Sequence, residues 1–381
     1  MAILARKIKV EKPKILISTP LFPPQAGGPA TYSKILFEYL PGRGFEVSLA
    51  KFSSISFLPK LLSHLAYFLL VVLKSIGADI VYAQDPVSVG LPSLLAARIL
   101  GKRFFLKIVG DYAWEQGVQR AGITDSLDVF SKRSEGYPLL VAVLKRVQCF
   151  VASRAERVVV PSRYLKNIVS NWGIAEERIV VIYNAAEQVK VLDSKESLRK
   201  RFSWSGPILA SAGRFVPWKG FDGLLRVFPR LLESYREARL VLIGDGPDRA
   251  RLESLAARLG ISGKVFFTGR LPRKEALEHI QASDVFVLNS SYEGFSHQLL
   301  EVLSLSVPTV ATDAGGNAEI VEDGKSGLLV PPGESGPLLE AILKVLENRR
   351  LSAKLSRCGK ERAKEFGGER MLDAITKLLF S

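Results

Sequence analysis

Glu293 and Glu301 stand with seven residues between them in the stretch Tyr-Glu-Gly-Phe-Ser-His-Gln-Leu-Leu-Glu. The apolar run Val285-Phe286-Val287-Leu288 before it reads as a buried strand, and Asn289-Ser290-Ser291 breaks that run. Ser296 to Leu305 then reads as a helix. Glu293 therefore falls in a loop at the carboxyl end of a strand, and Glu301 more than one turn into the helix. Gly294 lets backbone approach a ligand closely. The unpaired N–H groups at the helix start, at Phe295 and Ser296, favour an anion. Such a loop suits a hydroxyl-rich group and a phosphate side by side.

A second loop offers the opposite charge. Ile208 to Gly213 is an apolar strand, followed by Arg214-Phe215-Val216-Pro217-Trp218-Lys219-Gly220 and a helical pattern over Phe221 to Leu232. Arg214 and Lys219 thus sit at a strand's carboxyl end, where open parallel sheets bind ligands. A planar guanidinium and a compact ammonium suit a diphosphate. Two further runs, LVLIGDG (240–246) and VFFTGRL (265–271), repeat the pattern of strand and then glycine.

Taken in order, GRFVPWKG, LVLIGDGP, VFFTGRL, EGFSHQLLE and TDAGGNAEIVEDGKSGLLVPPG resemble the motifs of the retaining glycosyltransferases of family 4. The resemblance spans almost the whole chain and is strongest from Gly213 to Gly333. It implies the GT-B arrangement, two Rossmann-like parallel-sheet domains facing a central cleft. It also implies sugar transfer from a nucleotide-diphosphate donor with retention at the anomeric carbon. By the same resemblance Arg214 and Lys219 bind the donor diphosphate, Glu293 the sugar hydroxyls and Glu301 the ribose hydroxyls, with Gly294, Phe295 and Ser296 beside them. Arg270 and Leu271 fall where the family's base-binding loop lies.

The elements that must position these residues follow from periodicity. Strand-like runs are Lys14–Ser18, Glu46–Ala50, Asp79–Ala83, Phe104–Val109, Arg157–Val160 and Ile179–Ile182 in the first half. In the second half they are Ile208–Ala212, Leu240–Ile243, Val265–Thr268, Val285–Asn289 and Thr309–Ala311. Helical patterns between them include Thr31–Leu40, Leu61–Ile76 and Leu139–Ala155. This alternation predicts an α/β protein with a helix-covered parallel sheet, twice over. The 381 residues, 47% of them hydrophobic, suffice for two cores. The polar segment Asn184 to Arg201 marks the hinge, giving an acceptor-binding domain over 1–184 and a donor domain over 185–365. In this architecture the last helix returns to the first domain, and residues 366–381 suit that role.

Within the first half, Pro23-Pro24-Gln25-Ala26-Gly27-Gly28-Pro29-Ala30 follows the first strand. Gly27 and Gly28 allow backbone N–H groups to approach phosphate or a sugar ring. In family 4 this loop faces the donor across the cleft. Many relatives carry a histidine near the reacting carbon, after the fourth or fifth strand. Here that region reads Lys107-Ile108-Val109-Gly110-Asp111-Tyr112-Ala113-Trp114-Glu115, and His64, His279 and His297 all lie elsewhere. Asp111 is its best-placed polar group, either binding a sugar hydroxyl or receiving the acceptor proton, or else simply forming a turn after Gly110. No Asp-x-Asp occurs, so the divalent-metal clamp of other transferases has no candidate, and neither metal nor cofactor is expected. Arg214, Lys219 and the helix start would stabilise the leaving diphosphate instead.

Charge and composition narrow the partners. The net charge of +15 is uneven: residues 1–200 carry 28 Lys and Arg against 16 Asp and Glu, the remainder 25 against 22. A basic first half points to an anionic partner. Nucleic acid is disfavoured, since no zinc finger, helix-turn-helix or RNA-binding signature accompanies the charge. Phe57–Ile76 has an apolar core from Leu65 to Leu73, too short for a bilayer span of about 20 residues. It reads either as a helix lying on a membrane surface or as a buried helix of the first domain. Cys149 and Cys358 form no metal or redox spacing, and the N-terminus has no run apolar enough for a signal peptide. The expectation is a cytoplasmic enzyme, peripheral on the membrane, with a saccharide or lipid-linked acceptor. A sugar-nucleotide epimerase or a non-catalytic sugar-binding protein of the same layout are the alternatives.

Overall fold

Unbroken Val, Ile and Leu runs become strands buried on both faces, as parallel sheets require. The computed structural model describes residues 12–381 apart from 26, 56, 134 and 186–192. Among these residues β1 (Lys14–Thr19), β2 (Glu46–Lys51), β3 (Ile80–Ala83), β4 (Arg103–Lys107), β5 (Arg157–Val160) and β6 (Ile179–Val181) form one sheet, ordered β2-β1-β3-β4-β5-β6. The second contains β7 (Ile208–Ala212), β8 (Arg239–Ile243), β9 (Val265–Gly269), β10 (Val285–Leu288), β11 (Thr309–Thr312) and β12 (Leu328–Val330), ordered β12-β11-β10-β7-β8-β9. Every strand pairing in both is parallel. These are two Rossmann-like domains in the GT-B arrangement. The sequence anticipates eleven of the strands to within two residues at each end. The twelfth, β12, escapes it because three residues between Gly327 and Pro331 carry no period.

The period of two along each strand sends alternate side chains to opposite layers. On one face of the first sheet, Leu16, Val81, Leu106 and Val158 pack with Tyr67, Val71, Ala96, Ala97, Val151 and Ala152. These come from the helices Lys60–Ser75, Gly90–Ile99 and Leu139–Ala152. On the other face, Ile15, Ile17, Tyr82, Phe105 and Val159 pack with Leu36 of the helix Gly28–Tyr39. Met371, Leu372, Ile375 and Leu379 of the last helix, Gly368–Phe380, join that same cluster. Arg43 of the first domain pairs with Glu369 and Asp373 of this helix.

The segment read either as membrane-facing or as core is divided lengthwise. Ser63, Tyr67 and Val71 of the helix Lys60–Ser75 are buried, whereas Leu62, Leu65, Leu69 and Leu73 are exposed. Where the chain passes into the second domain, residues 186–192 of the polar segment lie outside the described residues, as does most of the charged extension over 1–12. The helix Lys195–Arg201 that follows is tied to the second sheet, Lys195 and Arg199 reaching Asp284 at 2.7 and 3.0 Å.

Each sheet reverses its strand order once, between β1 and β3 in the first and between β7 and β10 in the second. Ligands bind outside the carboxyl ends of the strands at such switch points. Here the two switch points face each other.

Candidate active site

Loops from both switch points line one cleft of about 820 Å³. Its first-domain wall holds Gln25, Gly27, Gly28 and Thr31 after β1, Val109 and Glu115 after β4, and Asn184 after β6. Its second-domain wall holds Arg214 and Lys219 after β7, Leu271 and Arg273 after β9, and the run Tyr292–Gln298 with Glu301 after β10.

The paired acids are held very differently. Glu293 is buried, and its Oε1 accepts hydrogen bonds from Lys219 Nζ at 2.6 Å and Ser290 Oγ at 2.7 Å. An ammonium this close in a mostly buried site holds the carboxylate in place. Its backbone is fixed as well: Gly316 N–H donates to the Glu293 carbonyl at 2.8 Å. A Cβ on Gly315, whose φ is +59°, would stand 2.0 Å from that carbonyl oxygen. Glu301 lies one turn into the helix His297–Ser304, which Ser296 caps by accepting from Leu299 N–H at 3.3 Å. Its Oε1 accepts from Arg273 Nε at 3.0 Å and Nη2 at 2.6 Å. Arg214 is exposed on the cleft wall and makes no ion pair among the described residues, leaving its fork available to an anion.

Three sequence expectations change. Asp111 is fully buried behind the cleft rather than in it. Its Oδ1 caps the helix Tyr112–Arg120, accepting from Trp114 N–H and from Gln148 Nε2, each at 2.9 Å. That helix turns Glu115 toward the cleft in its place. Burial raises the Glu115 carboxyl to about 7, the Asp111 charge adding to the rise while Lys219 and Arg214 oppose it. Arg270 is exposed and off the cleft wall, which takes Leu271 and Arg273 instead. Finally, Gly294 answers to the facing domain as well as to any ligand. A Cβ there would lie 2.3 Å from the Val109 carbonyl oxygen and 2.8 Å from Leu165 Cδ1, and Ser162 Oγ donates to its carbonyl at 2.6 Å.

That contact is part of a clasp between the domains. Tyr292, next to Glu293, packs into the first domain's core beside Trp114, with ring centroids 5.0 Å apart. Trp218, next to Lys219, stands 5.5 Å from the same Trp114 ring. Glu319 of the second domain caps the first-domain helix Arg163–Ser170, accepting from the N–H groups of Arg163 and Tyr164 at 2.9 Å each.

Two further basic side chains are buried beside the cleft, one from each domain. Lys107 is buried at the end of β4, its Nζ donating to Asn184 Oδ1 at 2.7 Å and lying 3.5 Å from the centre of the Tyr32 ring. Burial pushes its ammonium well below the usual lysine range. Opposite Gly28, His297 opens its helix, and burial lowers it to about 4, with the Lys107 and Arg273 charges assisting. It is therefore a neutral imidazole near pH 7. Among the described residues no cluster of three or more His, Cys, Asp or Glu is placed to hold a metal ion.

Comparison with known proteins decides the family. Residues 26–187 match the family described as Glycosyltransferase Family 4, and residues 194–362 match Glycosyl transferases group 1. The lipopolysaccharide core biosynthesis glycosyltransferase LpsE of Rhizobium meliloti is 35% identical over 250 residues, 64% of this chain and 68% of LpsE. The chain belongs to the family 4 glycosyltransferases. This glycosyltransferase also resembles, at 30% identity over 176 residues, the GDP-mannose-dependent alpha-(1-6)-phosphatidylinositol monomannoside mannosyltransferase of Mycolicibacterium smegmatis. That match covers 44% of this chain and 46% of the relative. The chain spans about two thirds of LpsE and about half of most other curated relatives it matches. Among solved structures, Anabaena HepE in complex with UDP and glucose has a TM-score of 0.75 at 21% identity, covering 96% of this chain and 99% of that one. A sucrose-phosphate synthase from Thermosynechococcus elongatus reaches 0.79 at 18% identity, covering 97% and 98%. At these identities the likeness establishes the fold.

Proposed function

We propose that this glycosyltransferase moves a hexosyl group from a UDP- or GDP-sugar to an acceptor hydroxyl, with retention and without a metal, in cell-envelope polysaccharide or glycolipid assembly. One observation carries the reading: Arg214, Lys219, Glu293 and Glu301 meet at the β7/β10 switch point, facing Gly27 and Gly28 across one cleft. Relatives named for lipopolysaccharide core and phosphatidylinositol mannoside synthesis support the envelope role.

In this reading Arg214 and Lys219 grip the diphosphate, and the helix start at Ser296 adds N–H donors. The Glu293 Oε2, which accepts no hydrogen bond from a described residue, takes a sugar hydroxyl while Lys219 and Ser290 hold Oε1. Glu301, steadied by Arg273, takes the ribose hydroxyls. The bond from the anomeric carbon to phosphate oxygen breaks, its electron pair passing to the diphosphate. The acceptor oxygen bonds to the same face of that carbon, and its proton passes to the departing phosphate oxygen. Glu115, on the first wall, orients the acceptor hydroxyl. Cations already in place stabilise the leaving group with little reorganisation.

Titration calorimetry and a hydrolysis assay over a panel of nucleotide sugars test the division of labour. Glu301→Ala is expected to weaken free nucleotide-diphosphate binding, and Glu293→Ala chiefly to lower turnover of the full donor, by roughly 10²–10³. Chelator leaves turnover unchanged. Equal loss of free-nucleotide affinity in both variants would overturn the assignment.

A further inference from the structure

Among the described residues, most of the exposed large apolar side chains lie on one layer. β2, β3, β4 and β5 are reached by successive crossovers that all advance the same way across the first sheet. Right-handed crossovers therefore place the helices Lys60–Ser75, Gly90–Ile99 and Leu139–Ala152 on one face. The inner sides of all three enter a single core cluster. Their outer sides present Leu62, Leu65, Leu69, Leu73 and Ile76 from the first segment, Leu95 and Ile99 from the second, and Leu139, Leu140, Val143 and Phe150 from the third. Several are more than half exposed, Leu73 at 67%, Ile99 at 66% and Leu139 at 78%. Scattered surface leucines need no explanation, but a contiguous apolar face rimmed by charge marks an interaction site.

The charge that these three helices add has one sign. The three helices contain no Asp or Glu and five basic residues: Lys60, Lys74, Arg98, Lys145 and Arg146. Lys74, Arg98 and Arg146 are exposed, as is Arg154 just beyond, and none of these four pairs with a carboxylate among the described residues. A second copy of the chain seated on the same face would bring cations against cations, because a two-fold interface is self-complementary. An anionic bilayer meets both halves of the pattern: leucines enter the boundary between headgroups and acyl chains while the cations meet lipid phosphate. No helix among the described residues is long and apolar enough to cross a membrane, so contact is by surface.

We infer that the outer face of these three helices docks the enzyme on an anionic lipid surface. The inference stands apart from donor chemistry, since binding to vesicles needs no sugar nucleotide. Co-sedimentation of the full chain with phosphatidylcholine vesicles, with and without phosphatidylglycerol, tests it. Wild type is expected to pellet with the anionic vesicles alone, less as salt rises from roughly 0.1 M to 1 M and screening shortens from about 10 to 3 Å. Replacing three already exposed residues (Leu65→Gln, Leu69→Gln and Ile99→Gln) is expected to lower the partition coefficient at least about tenfold. A second variant, Lys74→Glu with Arg98→Glu and Arg146→Glu, is expected to abolish the preference for phosphatidylglycerol. Thermal melting confirms that both variants fold. Pelleting that ignores vesicle charge, or a glutamine variant that pellets like wild type, would overturn the inference. So would a wild-type dimer in vesicle-free solution that the glutamine variant disperses.

Discussion

The two walls of the cleft are built at the same topological place on the same kind of sheet, yet they differ in what they contribute. Around the β7/β10 switch point the wall is made of charged side chains, Arg214, Lys219 and Glu293, with Arg273 and Glu301 adjoining. Around the β1/β3 switch point backbone leads, Gly27 and Gly28 opening the helix Gly28–Tyr39, with Gln25, Thr31 and a single cation, Lys34, beside them among the described residues. A diphosphate brings fixed charge, and fixed charge needs counter-charges set in advance. An opposing wall that closes over a sugar mainly needs to come close. Equivalent positions in a duplicated architecture have divided charge from shape.

The largest effect that could break this comparison is at the glycines. Gly294→Ala puts a Cβ 2.3 Å from the Val109 carbonyl oxygen, a backbone atom that cannot step aside without moving the first domain. Turnover is expected to fall about a hundredfold, since small misplacement of reacting groups costs that much. Gly28→Ala meets only the edge of His297, Cδ2 at 3.0 Å, and is expected to cost a few-fold. Steady-state kinetics on both variants orders them, and equal losses would mean that shape matters alike on both walls.

Next come the charges. Arg214→Ala is expected to weaken nucleotide-diphosphate binding by roughly 1.5–3 kcal/mol, typical of a charged hydrogen bond. Lys219→Ala is expected to weaken it at least as much, because it also strands the buried Glu293 without its partner at 2.6 Å. Calorimetry with UDP and GDP would sharpen the contrast. A larger loss for Arg214 would show that the Lys219–Glu293 pair contributes little to the donor site.

A last effect belongs to Glu115, the one carboxyl of the first wall among the described residues. Glu115 is raised from 4.5 to about 7 on folding, so the folded state keeps a proton that the unfolded chain gives up. Wild-type stability should therefore decline as pH rises from about 4.5 to 7 and then level off. Glu115→Gln removes that decline, with a gain on the order of 1–3 kcal/mol at pH 8 relative to pH 5. His297 and Asp85 also titrate in this range, so the difference between variant and wild type, read by urea denaturation at each pH, isolates Glu115. Parallel curves would place its carboxyl in water.

The position of the second-domain wall was legible in the sequence because its charged side chains follow their strands closely. Arg214, Lys219 and Glu293 each follow an apolar run within a few residues, so finding the strand finds the side chain. The first wall was not legible in the same way. Asp111 and Glu115 stand four residues apart, one helical turn, and only the onset of the helix at Tyr112 decides which of them faces the cleft. An Asp four residues before a Glu, at the end of an apolar run, was the available signal for a cap. Arg273 was missed for a related reason: Pro272 starts a helix there, and the turn carries Arg273 rather than Arg270 to Glu301. Gly294 was read as the place where backbone approaches a ligand, and sequence alone cannot say that the facing domain crowds it, the Val109 carbonyl oxygen lying 2.3 Å from a Cβ placed there.

Tyr292 sits in the donor loop yet belongs to the core of the first domain. Parting the domains would draw that ring out of an apolar setting and expose it to water, and it would carry its neighbour Glu293 along. On the proposed function, an open enzyme would then hold a nucleotide sugar with Glu293 out of register. Water is most abundant in that open state, so on the proposed function the residue that latches the two halves would also guard the donor against wasteful hydrolysis.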